Sequence, residues 1–131
     1  MFLATVSKPK QLLYLSFIGR VSVEQLQHGH EDIVLLLADL GSGFRVLADL
    51  SRLDSMDINC ATEIGKFMEL CEQQGVRLVI RIIPDPSKDI GLNILSLFHY
   101  RRRPRIMTCN SLAEAEDALQ LGRMESSNDS T

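Results

Sequence analysis

The strongest constraint on this chain is an alternation. Short aliphatic runs of strand character are separated by longer stretches whose apolar residues recur every three or four positions, and the joints between them are brief. Parallel strands cannot be closed by a tight hairpin. They need a crossover of about a dozen residues, usually a helix, so a chain written this way folds as helices packed on a mostly parallel sheet.

The elements read as follows. Residues 12–18 form a strand ended by Gly19, and residues 2–6 pair with it across Lys8-Pro9-Lys10, which starts the sheet with an antiparallel hairpin. Ser22 and Gln25 have capping-box spacing. Val23, Leu26, His30, Ile33, Leu37 and Leu40 give the helix that follows one apolar face, and Gly41-Ser42-Gly43 stops it. A buried strand over 44–50 leads into a polar loop over 51–56. A second helix is expected over 57–74, with Ile58, Ala61, Ile64, Gly65, Met68 and Cys71 inward and Gly75 just past its end. Residues 76–83 are a continuous apolar strand. Asp85 and Pro86 suit the N-cap and first turn of a third helix, residues 104–108 a last strand, and Ser111 to Glu114 a second capping box opening a helix with Leu112, Ala115 and Leu119 inward. The expectation is an α/β domain over 1–121, with a mixed, mostly parallel sheet of about five strands and about four helices, and a polar tail over 122–131.

At 131 residues the chain has room for one domain. With 45% apolar residues it can bury a core without disulfide or metal, and with 5% aromatics and no Trp that core should be aliphatic. A net charge of −3 argues against a general nucleic-acid binder. Cys60, Cys71 and Cys109 have no paired spacing, so they read as buried thiols rather than a zinc site or a disulfide framework. No run reaches the roughly 18 apolar residues of a membrane span, and residues 1–6 lack the basic start of a signal peptide. A cytoplasmic protein is expected.

The most informative segment is 48–59: a strand end, a polar stretch and a helix start. Ligand and partner sites gather beyond the carboxyl ends of strands in open α/β sheets. Simple capping by Asp57 or Ser55 would also explain these residue types. Over 46–80 the chain resembles STAS domains, typified by bacterial anti-sigma-factor antagonists. The resemblance lies in Val46-Leu47-Ala48-Asp49-Leu50, Ser51-Arg52-Leu53, the Met56-Asp57 pair, and the strand from Gly75 to Ile80, joined without a gap. Phe17-Ile18-Gly19-Arg20-Val21-Ser22 matches the family's strand–Gly–loop lead-in to its first helix, and the element order agrees over about 12–120.

The resemblance implies a regulator that works by protein–protein contact and is not an enzyme. In such domains a kinase partner phosphorylates a Ser just after the Asp that Asp57 matches. The phosphate places about two negative charges in a contact surface. Here Ile58, Asn59 and Cys60 occupy those positions, so the modified place falls on Asn59, which has no hydroxyl, and Ser22 stands where many members carry Asp. The implied working surface is Arg20, Ser22, Asp54, Ser55, Met56, Asp57 and Asn59, facing an anti-sigma-factor-like, kinase-like or other regulatory protein. No cofactor and no metal is expected, and self-association is left open.

Other features point elsewhere. His28 and His30 lie on different helical faces, which discourages a shared metal. Asp49, Asp54 and Asp57 could gather three carboxylates as in a phosphoacceptor site, but the first strand ends without an acid pair. Arg101, Arg102, Arg103 and Arg105 are cations near a helix end, favoured there by the dipole. They could also form an anion patch, serving a small-ligand or lipid-binding alternative. Gly41-x-Gly43 lacks the third glycine of a dinucleotide loop.

Overall fold

The computed structural model describes residues 1–85 and 104–129. The hairpin is β1 (Phe2–Ser7) and β2 (Leu12–Val21), followed by α1 (Val23–Leu37), β3 (Arg45–Met56), α2 (Cys60–Gln73), β4 (Leu78–Ile82), β5 (Arg105–Cys109) and α3 (Leu112–Asp129). The five strands lie in the order β1-β2-β3-β4-β5. β1 is antiparallel to β2 and every other neighbouring pair is parallel. Among the described residues there are three helices rather than four. The helix expected after Asp85-Pro86, with Arg101, Arg102 and Arg103, lies outside them.

Local chemistry sets several boundaries. Ser22 is the N-cap of α1: its hydroxyl accepts from the Gln25 N–H (3.3 Å) and the Gln25 side chain accepts from the Ser22 N–H (3.2 Å). Two otherwise orphaned helix donors are satisfied this way. α2 ends as its sequence predicts. Gly75 has φ +87°, its N–H donates to the Glu72 carbonyl, and the Val76 N–H donates to the Cys71 carbonyl. That pair of bonds is a Schellman ending, which favours glycine at the left-handed position.

Strand parity divides the core between the two faces of the sheet. Leu13, Leu15 and Phe17 of β2 and Val46 and Leu50 of β3 turn toward α1 and α2. Leu12, Leu47, Leu78, Ile80 and Ile82 turn toward Ala115 and Ala118 of α3. β4 is buried along its whole length, as a strand covered on both faces should be. Arg45 ties the layers together, one guanidinium nitrogen donating to the Leu119 carbonyl (2.8 Å) and another to the Lys10 carbonyl (2.7 Å).

The α1/α2 face is not purely aliphatic. Phe2 packs against Phe17 (ring centroids 5.1 Å) and Phe67 (5.5 Å), and His30 stacks on Phe67 (5.9 Å). Gly29 of α1 lies against the Phe2 ring, where a Cβ would collide. His30 is half-buried by that stacking. Two expected inward residues are exposed: Ile58, which precedes the first turn of α2, and Leu112, at the start of α3. Phe67 takes an inner place on α2 that the heptad-like spacing did not single out.

Candidate functional site

The main departure from the sequence reading is at residues 51–56. They are the second half of β3, not a loop, and β2 correspondingly runs past Gly19 to Val21. The two halves pair differently. From Leu12↔Arg45 to Ser16↔Asp49 the register is regular, and it then slips to Ile18↔Arg52 and again between Gly19↔Leu53 and Arg20↔Ser55. Each slip puts an extra β3 residue opposite β2, which is a bulge, and bulges bend the strand and increase its twist. Gly19, at φ +63°, lies at the second slip, with the Asp54 carboxylate beside it.

The first bulge explains Asp49. The unmatched Ser51 N–H donates to one oxygen of its carboxylate (2.9 Å), and the Tyr14 hydroxyl donates to the other (2.9 Å). A backbone donor that left the ladder is thereby satisfied. Burial raises the Tyr14 pKa, and the Asp49 carboxylate raises it further, against the Ser16 hydroxyl and the Arg52 charge.

The bulged end brings most of the expected surface together. Arg20 pairs with Ser55 and Val21 with Met56 across adjacent strands. Asp54, Ser55, Asp57 and Asn59 are exposed and Met56 is half-buried. Ser22 follows at the start of α1, its hydroxyl engaged in capping. The thiol of buried Cys60 donates to the Val21 carbonyl (3.7 Å) and so links the start of α2 to the end of β2.

The regular turns of α2 begin after Asp57, at Cys60. The N-cap is Asn59, in helical conformation with no side-chain cap bond. The Asp57 carboxylate accepts the Asn59 N–H (3.0 Å), as a capping side chain does, and the Cys60 N–H donates to the Asp57 carbonyl (2.9 Å), which makes a turn at the entry to the helix. That turn presents Ile58, 83% exposed, between Asp57 and Asn59. An apolar residue so placed was missed because its spacing matched the helix face.

All three cysteines are buried and unpaired. Burial pushes the Cys71 thiol up to about 12, and raises Cys60 and Cys109, each with help from a nearby carboxylate. Among the described residues no three His, Cys, Asp or Glu side chains gather as a metal site. The strand order never reverses, so the described sheet has no switch-point crevice of the kind that holds nucleotides. The apolar gap under α2, lined by Phe17, Leu50, Ile64, Phe67 and Met68 among others, is about 50 Å³. Pockets for drug-sized ligands start at about 300 Å³. Arg105, on β5, is exposed. No helix among the described residues is long and apolar enough to cross a membrane.

No protein-family model matches the chain, and no curated protein matches it in sequence. Solved structures do. The anti-sigma factor antagonist SpoIIAA in its unphosphorylated form is 16% identical with a TM-score of 0.64, over 92% of this chain and 98% of that one. Phosphorylated SpoIIAA from Bacillus is 14% identical with a TM-score of 0.59, over 91% and 99%. An uncharacterised protein of the DUF3478 family from Shewanella loihica, described as SpoIIAA-like in fold, is 16% identical with a TM-score of 0.66, over 91% and 92%. Hairpin, parallel crossovers and coverage agree on one architecture: the chain has the STAS-like fold of the anti-sigma-factor antagonist SpoIIAA.

Proposed function

We propose that this protein is a non-enzymatic regulatory module that binds another protein through the bulged end of the sheet. The surface comprises Arg20, Ser22, Asp54, Ser55, Met56, Asp57 and Asn59, with Ile58 as its apolar centre. The observation that carries this reading is the exposed 57–59 turn ahead of α2, which follows directly on Ser55 and Met56, paired with Arg20 and Val21. An exposed aliphatic side chain with polar sequence neighbours gains from burial against a partner, as the apolar core and polar rim of protein interfaces do. The fold likeness to an anti-sigma-factor antagonist supports a protein partner.

Asn59 occupies the position where STAS domains of this kind carry the phosphorylatable Ser. A neutral amide there keeps the surface in one charge state, so this chain binds without the serine switch. Ser55 remains a hydroxyl on the same surface. Affinity capture from the native host tests both points. Wild type and Asn59→Gln should retain the same bound protein and Asn59→Glu should lose it, because a carboxylate brings uncompensated charge into the contact. Equal capture by Asn59→Glu would place the working surface elsewhere.

A further inference from the structure

On the α3 side of the sheet, at the first β3 bulge, the strand surface is polar. Tyr14 and Ser16 alternate on β2, Asp49 and Ser51 lie beside them on β3, and Arg52 and Leu112 border the pocket of about 150 Å³ that results. α3 packs mainly over β4 and β5, and among the described helices it touches this pocket only at Leu112. The volume is on the order of ten times what one water needs, and well below the roughly 300 Å³ at which drug-sized sites begin.

The charges in the pocket are arranged in an unusual way. Asp49 is only 8% exposed, yet it forms no ion pair with any described residue. Its carboxylate accepts the Tyr14 hydroxyl and the Ser51 N–H, which leaves about two of its four lone-pair directions unused. A buried carboxylate is costly without a cation or further donors. Exposed Arg52 sits close enough for its charge to act on Tyr14. The pocket therefore has a negative floor, a positive rim and apolar flanks at Ile18 and Leu112.

We infer that this pocket binds a small zwitterion of the free α-amino-acid class. The ammonium group sits on the Asp49 carboxylate and the Tyr14 oxygen, and the carboxylate meets the Arg52 guanidinium. A short side chain lies against Ile18 and Leu112. The site is separate from the 54–59 surface and does not rest on the partner-binding reading.

Isothermal titration of the full chain with L-alanine, L-serine and L-threonine tests the inference, with propylamine and propionate as single-charge controls. At least one amino acid should bind saturably in the millimolar range or tighter, and both controls should bind more weakly. Arg52→Gln, at an exposed site, should keep its circular dichroism spectrum and weaken amino-acid binding roughly ten- to a hundredfold, the loss of one charge-assisted contact. Ser16→Ala should weaken it less. The inference is overturned if no amino acid binds, if a control binds as tightly as the amino acids, or if Arg52→Gln binds them as wild type does. Asp49→Asn serves as a second variant only if it melts cooperatively, since Asp49 also holds the bulge.

Discussion

The two faces of the sheet are built from the same strands and differ in what they leave unfilled. Toward α1 and α2, alternate residues of β2 and β3 are Leu, Phe and Val, three phenylalanines and His30 interlock, and a gap of about 50 Å³ remains. Toward α3 the same strands start with Leu12 and Leu47 and then turn polar at Tyr14, Ser16, Asp49 and Ser51, with a pocket of about 150 Å³ beside them. One face spends its residues on packing and the other satisfies a bulge. The larger of these two spaces therefore lies on the polar face, while the packed face supports the strand ends that form the proposed partner surface.

Mutations should separate the faces by size of effect. Phe67→Ala removes a ring that meets both Phe2 and His30, and urea denaturation should show a loss of about 3–5 kcal/mol, as for a large core deletion. A loss under about 1 kcal/mol would mean that the aromatic cluster is not the keystone of that face.

Cys71 provides a pH test of the same packing. Its folded pKa is raised from 9.0 to about 12 by burial, so the folded state holds the proton more tightly than the unfolded state. Its contribution is intact below 9.0 and is lost as pH rises toward 12. Wild-type stability should fall through that window. Cys71→Ala should start lower by roughly 1 kcal/mol for the lost sulfur and decline less steeply, Tyr14 adding to the limb in both proteins. Parallel declines would show that the Cys71 site admits water.

On the polar face the expected effects are smaller. Tyr14→Phe removes one of two hydrogen bonds to Asp49 and should cost about 1 kcal/mol in a thermal or urea melt. Leu112→Ala, at a side chain 42% exposed, should change stability by no more than about 0.5 kcal/mol. A larger loss there would mean that Leu112 closes the pocket rather than flanking it.

Much of this was legible in the sequence because the signals were local. The Ser22–Gln25 box, the Gly75 ending and the strand parity of 12–18 and 44–50 each depend on a few neighbouring residues. The second half of β3 was not. Ser51-Arg52-Leu53-Asp54-Ser55 is as polar as a loop, and it is a strand because β2 offers it a partner through two bulges, which is a property of the pair. The Asp57 carboxylate takes the N–H two residues on, the bond the sequence leads one to expect of a capping Asp; what the sequence does not show is that the regular helix begins only at Cys60, which leaves Ile58 facing solvent. The polar pocket did leave a trace: Tyr14 with Ser16, and Asp49 with Ser51, share one strand parity in otherwise apolar runs. Parity alone cannot say that the two pairs are neighbours. The Phe2–Gly29 contact likewise needs the hairpin placed under α1.

If the turn ahead of α2 meets the partner, exposed apolar surface elsewhere on the molecule should not. Ile58 and Leu35 make a matched pair, 83% and 72% exposed, on different parts of the molecule. A photo-reactive amino acid placed at each position in turn, irradiated in the native host, tests the claim directly. One discrete cross-linked protein is expected from position 58 and none from position 35. Cross-linking from position 35 alone, or the same product from both, would contradict it.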